Sequence, residues 1–161
     1  RVADGRGTGP LGAAASREGG AAFQATRWPE GDELVESIHG ALRATRGAAV
    51  AVTSIDFSQR MATFCGIGNI AGSLSADGAV RKLTSLNGTA GLVARGVRGF
   101  QYPIAGETLL IMHSDGVSAN WALDRYPSLA HQEPMLIAAL LYRDFGRARD
   151  DALILVARVA P

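Results

Sequence analysis

The sequence predicts a layered α+β domain built on antiparallel sheet, and three observations carry that expectation. Helical spacing of apolar residues comes first, a long block of short strands and turns fills the middle, and one helix with one strand closes the chain. Helices and strands do not alternate one by one, which argues against parallel βαβ units. The 161 residues suit a single domain spanning 1–161, and 47% hydrophobic residues are enough for a real core.

Each element has a local reason. Val2-Ala3 reads as the end of a buried strand, and Asp4 to Gly9 as a tight, glycine-rich turn. Pro10 suits a first helical position, and an Ala-rich helix is expected to run to about Thr26. A second helix opens between Pro29 and Asp32; Leu34, Val35, Ile38 and Leu42 form its apolar stripe, and Gly47 ends it. Strands are expected at 49–53 and 62–67, around a turn at Asp56 to Arg60. A hairpin of 71–75 and 79–83 turns through Asp77-Gly78, a strong turn dipeptide. After a loop from Ser85 to Gly91, strands are expected at 99–104 and 108–112. An irregular stretch from Trp121 to Gln132 leads to a third helix from Pro134, with Leu136, Ile137, Leu140 and Leu141 on one face and Gly146 as its cap. The last strand is expected at 152–159.

Sixteen basic and fifteen acidic side chains leave a net charge of +1. That balance gives no reason to expect nucleic acid or an anionic membrane surface as a partner. Cys65 is the only cysteine, so an internal disulfide and a cysteine-based zinc site are excluded. A reducing, cytoplasmic setting is the default expectation. No apolar run approaches the roughly 20 residues of a membrane-spanning helix.

Chemistry concentrates at three acidic positions. Asp4 follows a short apolar strand and precedes Gly5; Asp115 follows Leu109-Leu-Ile-Met112 and precedes Gly116; Asp150 and Asp151 lead into the last strand. If the strand ending at Asp115 runs antiparallel to the strand after Asp151, these acids share one rim of a sheet. Carboxylates gathered on one rim repel each other unless divalent cations neutralise them, and oxygen donors suit Mg²⁺ or Mn²⁺. The glycines after Asp4 and Asp115 are expected to let the backbone turn and to leave carbonyls open as further ligands. A single Asp-Gly after a strand is ordinarily just a turn, as at Asp77-Gly78; the weight lies in the joint pattern.

That joint pattern resembles a known family. The runs Val2-Ala-Asp-Gly-Arg-Gly-Thr-Gly9, Gly66-Ile-Gly-Asn69, Leu110-Ile-Met-His-Ser-Asp-Gly-Val117 and Arg149-Asp-Asp-Ala-Leu-Ile154 are similar, in this order, to the SpoIIE-type branch of the metal-dependent (type 2C, PPM) serine/threonine protein phosphatases. The segments Asn87-Gly-Thr89, Trp121 to Pro127 and Leu140 to Gly146 resemble the phosphatase domains of bacterial stress-signalling switches within it. The resemblance implies a four-layer α-β-β-α sandwich with two Mn²⁺ or Mg²⁺ ions at one end. It implies that Asp4 bridges the metals, that the Gly5 carbonyl binds one, and that Asp115 and Asp150 complete the protein ligands. Two cations would acidify a bridging water to attack phosphorus and would stabilise the phosphoryl oxygens. The implied substrate is a phosphorylated anti-sigma antagonist of the small STAS type, with an anti-sigma-type kinase module as an associated partner.

Two departures from the family pattern shape the expectations. Relatives place two further strands and another acidic residue before the segment matching Val2, so the sequence reads as N-terminally truncated. A weak or inactive regulatory binding module is the competing expectation. Where many relatives carry His after the first Asp-Gly, or at the position of Thr8, this chain has Arg6 and Thr8; Arg6 is either a phosphate-binding residue or a solvated turn residue.

Other signals carry less. The glycines at 5, 7 and 9 suggest a phosphate cradle but match neither G-x-G-x-x-G nor the P-loop. Asp144-Phe-Gly146 and His113-Ser-Asp115 mimic kinase motifs without the other parts of a kinase. His113 either supports a metal ligand or packs in the core. His39 and His131 read as surface residues. Asn69 either orders a loop at the rim or forms a turn. Asp151 supports the site beside Asp150 or caps the strand. Trp121 and Tyr126 are either local packing or part of a substrate-recognition flap.

Overall fold

Side chains alternate across a strand, so the burial of each strand shows which layers it meets. In the computed structural model, which describes residues 2–5, 10–25, 31–94, 96–148 and 150–160, the chain begins with β1 (Val2–Gly5), α1 (Pro10–Ala25) and α2 (Gly31–Ala41). Next come β2 (Ala48–Asp56), β3 (Met61–Ile67), β4 (Ala71–Ala76), β5 (Ala79–Leu83) and the two-residue strands β6 (Gly88–Thr89) and β7 (Val93–Ala94). It closes with β8 (Phe100–Pro103), β9 (Thr108–His113), α3 (Pro134–Phe145) and β10 (Ile154–Val159). One four-stranded sheet has the order β1-β2-β3-β8, the other β10-β9-β4-β5, and every pairing is antiparallel.

Three hydrophobic clusters fix the layers. Between the sheets, Ala51, Ala62 and Phe64 of the first meet Leu74, Leu110, Met112 and Val159 of the second. On the outer face of the first sheet, Val50, Val52, Cys65 and Ile67 pack with Ala15, Leu34, Val35, Ile38 and Leu42 of the helical layer. On the outer face of the second, Leu109 and Ile111 pack with Ile137 and Leu141 of α3 and with Leu123 and Leu129. The result is an α-β-β-α sandwich, the arrangement that the family resemblance implies and a form of the layered α+β domain read from the residues. β9 is buried on both faces, which is why its sequence is a continuous apolar run and not an alternating one.

Several boundaries differ from the sequence expectation. Asp4 and Gly5 continue β1, paired with Ala49 and Ala48, instead of opening a turn. β2 runs on to Asp56 because Ser54, Ile55 and Asp56 pair with β3. The loop after Ser85 contains the small β6–β7 pair. β10 starts at Ile154, two residues later than expected. The expected Asp77-Gly78 turn is present, with both residues at positive φ (49° and 77°). Pro103 is tolerated because β8 is an edge strand. The expected turn residues Arg6, Gly7, Thr8 and Gly9, the expected start at Pro29 and the end at Thr26 lie outside the described residues. No described helix is long and apolar enough to cross a membrane.

Phe64 shows how tightly the sheets approach. Its fully buried ring lies over two glycines, one on its own strand and one on the facing sheet: a Cβ at Gly66 of β3 would sit 2.8 Å from the ring and one at Gly72 of β4 2.7 Å from it. Gly72→Ala is therefore expected to lower unfolding stability by about 1–3 kcal/mol through overpacking. Gly40→Ala, on a helical position with open space around it, is expected to raise stability by up to about 1 kcal/mol. Urea denaturation of both variants checks the pair.

Candidate active site

The site is built where β9 ends and β10 begins. The register pairs Ile154 with His113, so the chain entering β10 through Asp150 and Asp151 runs beside the chain leaving β9 through Ser114, Asp115 and Gly116. The antiparallel pairing on which the shared rim depends is therefore present. Ser114 joins the two segments: its N–H donates to the Leu153 carbonyl at 3.0 Å, its Oγ accepts from the Leu153 N–H at 3.0 Å, and its hydroxyl lies 3.4 Å from the Asp151 carbonyl.

Gly116 brings them closer still. A Cβ there would lie 2.2 Å from the Asp151 carbonyl oxygen and 3.0 Å from the Ala152 Cα. The sequence predicts Gly116 for a sharp turn with an open carbonyl; the turn is present, closed by the Val117 N–H to the Ser114 carbonyl at 3.2 Å, but the carbonyl is taken and the glycine has a further reason. Gly116 is not among the positive-φ glycines, its lack of a side chain permits backbone contact, and its carbonyl accepts the Arg147 N–H at 2.8 Å. The Arg147 carbonyl in turn accepts the Asp150 N–H at 3.3 Å. Gly146 is the C-cap of α3, as expected; its backbone is extended (φ −66°, ψ 138°) and it pairs with Val117. Its glycine requirement is also one of approach, since a Cβ would sit 2.4 Å from the Tyr142 carbonyl oxygen.

The first sheet brings its own end to this rim. Asp4 pairs with Ala49, and Gly68 packs against Ala49 so closely that a Cβ on Gly68 would lie 2.9 Å from the Ala49 Cβ. Asn69 follows, and its side-chain amide lies 3.4 Å from Asp115 Oδ2. Backbone pairing therefore places Asp4 and Gly5 at the same end of the sandwich as Asp115. The Asp4 side chain and all of Arg6 lie outside what the structure describes.

Asp115, Asp150 and Asp151 are exposed, and none of them makes an ion pair among the described residues. A cavity of about 240 Å³ lies against Asp115, lined also by Asn69, Ala71, Val117, Ala119 and Arg147. No three His, Cys, Asp or Glu side chains converge on one point among the described residues. Two open carboxylates brought to one rim by backbone contacts, with a third position from β1, are nevertheless an oxygen-donor set that fits a hard divalent cation.

His113 does not reach Asp115 with its ring. Nδ1 lies 2.9 Å from the Ser114 carbonyl, and Nε2 accepts the Trp121 indole N–H at 3.1 Å. Those partners set a neutral ring protonated at Nδ1, and burial holds its pKa below the ordinary value. The Trp121 ring stands edge-on to it, at 74° and 6.3 Å between centroids. His39, expected on the surface, is half-buried, and its Nδ1 accepts the Gly91 N–H at 2.9 Å. Sequence reasoning assigned no role to Ser114 or Arg147, which join the two acidic segments. Their signal was adjacency alone: Ser114 lies next to Asp115, and Arg147 lies three residues before Asp150.

No family model matches the sequence, and no curated protein matches it. Solved structures do. One, described as "The bacterial stressosome: a modular system that has been adapted to control secondary messenger signaling", is 22% identical with a TM-score of 0.85, covering 98% of this chain and 82% of that one. RsbX in complex with magnesium is 22% identical with a TM-score of 0.77, covering 96% and 77%. The PP2C phosphatase domain with a fragment of the regulatory domain of SpoIIE from Bacillus subtilis is 21% identical with a TM-score of 0.78, covering 98% and 53%.

Two outcomes follow from the geometry. Gly116→Ala is expected to push the Asp151 carbonyl away and to weaken Mn²⁺ binding, measured by calorimetric titration, by more than its effect on the urea midpoint suggests. Protonating His113 removes the acceptor for Trp121. Because the folded-state pKa is depressed, stability is expected to be full above pH 6.5, the ordinary value, and to fall as pH drops through the folded value. His113→Gln should flatten that part of a stability-against-pH profile.

Proposed function

On a chain that has the fold of the PP2C-type phosphatases, we propose a metal-dependent serine/threonine protein phosphatase. The observation that carries this reading is the junction of the Asp115 and Asp150 segments through Gly116, Ser114 and Arg147, which sets open carboxylates on one rim. In this reading Asp4, the Gly5 carbonyl, Asp115 and Asp150 hold two divalent cations, Mn²⁺ or Mg²⁺. RsbX, of similar fold, is described in complex with magnesium. When bound, such cations supply an acidified water and stabilise charge on phosphoryl oxygens.

The chain's own residues perform the rest. Asn69 orients the Asp115 carboxylate, and Asp151 fixes the segment that presents Asp150. Arg6 orients the phosphoryl group as a guanidinium donor. His113 holds the end of β9 in place through the Ser114 carbonyl and Trp121. The substrate we propose is a phosphoserine or phosphothreonine protein of the STAS-type anti-sigma antagonist class, with an anti-sigma-type kinase module as the opposing partner, in the cytoplasm.

Mn²⁺-dependent hydrolysis of p-nitrophenyl phosphate and of a phosphorylated STAS-type protein tests the proposal. Asp115→Ala is expected to lose at least about a hundredfold in rate, and Asn69→Ala about ten- to a hundredfold in metal affinity. No metal-dependent turnover by a folded chain would overturn the enzyme reading and leave a regulatory binding module.

A further inference from the structure

A second, larger depression of about 790 Å³ lies beside the rim and adjoins the Asp115 cavity, sharing the lining residues Ala71, His113 and Ala119 with it. Its floor is the outer face of β4, where Ser73 and Ser75 stand in register with Ile111 and Leu109. One wall is β5, the outermost strand of its sheet, with Val80 and Lys82 facing the groove. The other wall is the segment 119–131; the sequence reads Trp121 to Gln132 as irregular, with Trp121 and Tyr126 as either local packing or part of a substrate-recognition flap.

That second wall is held in three places. Trp121 donates to His113 Nε2 at 3.1 Å, and the Tyr126 hydroxyl donates to Asp144 Oδ2 at 2.5 Å. Arg158 Nη2 donates to the carbonyls of Ala130 at 3.1 Å and Gln132 at 2.5 Å. Leu123 and Leu129 are buried beneath it. A wall tied to β9, α3 and β10 is preorganised, which lowers the ordering cost of binding.

We infer that this groove binds the polypeptide on one side of a phosphorylated serine or threonine, in extended form, and so selects which phosphoproteins reach the Asp115 rim. The inference rests on the phosphatase reading above. Two features favour a peptide as occupant. The groove adjoins the cavity where the phosphorylated residue would sit, with Ala71, His113 and Ala119 lining both. Its lining mixes serine hydroxyls, a single lysine, an aspartate and apolar side chains, which suits a chain of amides and varied side chains better than a lipid or a polyanion.

Val80 is 45% exposed and lies on the β5 wall, so Val80→Trp fills the groove without entering the core. The probes are a degenerate library of eleven-residue peptides with central phosphoserine, a matching library of three-residue peptides, and p-nitrophenyl phosphate. The native chain with Mn²⁺ is expected to cleave the long peptides with at least about tenfold higher kcat/KM than the short ones, through KM. Val80→Trp should abolish that preference and leave the p-nitrophenyl phosphate rate within about twofold. Equal rates on long and short peptides, or a preference that survives Val80→Trp, would overturn the groove assignment. Should the chain cleave none of the three, the phosphatase reading fails separately. Fluorescence polarisation of labelled long and short peptides then decides the groove: tighter binding of the long ones, lost in Val80→Trp, supports it, and equal binding refutes it.

Discussion

The contact between Gly116 and the Asp151 carbonyl is the constraint on which the proposed chemistry depends. Apart from the Ser114 hydroxyl, the contacts that join the two segments run between backbones. Two backbones meet because position 116 has no Cβ, and the hydrogen bonds of Ser114 and Arg147 close around that contact. The carboxylates of Asp115 and Asp150 then stand exposed on one rim and make no ion pair among the described residues. A site held by backbone keeps its shape when side-chain charges change, which suits a centre whose net charge alters with metal and substrate.

The sandwich explains why this rim exists. β9 is buried between α3 and the facing sheet, so its end is fixed from both sides. Phe64 and Gly72 opposite it bring the sheets close, and Asn69 emerges from the loop between β3 and β4 at the height of Asp115. Asp4 arrives on the neighbouring sheet through β1 and β2. Core packing and site assembly are thus one problem: altering the sheet separation at Gly72 also moves the loop that carries Asn69.

Much of this was legible in the residues. The switch from helical spacing to short strands gave the layers, and the run Leu109-Leu-Ile-Met112 marked a strand, whose burial on both faces is seen in the structure. The Asp-Gly after that strand and the acidic pair before the last one marked the rim. The close backbone approaches at the glycines were not legible. Gly116 read as a turn residue and Gly146 as a helix cap, and both readings hold, but sequence shows a missing side chain and never the carbonyl that a Cβ would meet. The Trp121–His113 bond and the groove wall it anchors were hidden for a related cause: segment 119–131 has no periodic pattern, and its order comes from contacts with β9, α3 and β10.

The central claim is that Asp115 and Asp150 act as one metal-binding unit. A double-mutant cycle on Mn²⁺ affinity, measured by titration calorimetry on the native chain, Asp115→Asn, Asp150→Asn and the double variant, tests it most directly. Ligands of one shared site predict strongly non-additive losses, with the double variant binding little worse than either single variant. Losses that add independently would show that the two carboxylates serve separate roles and would contradict the account.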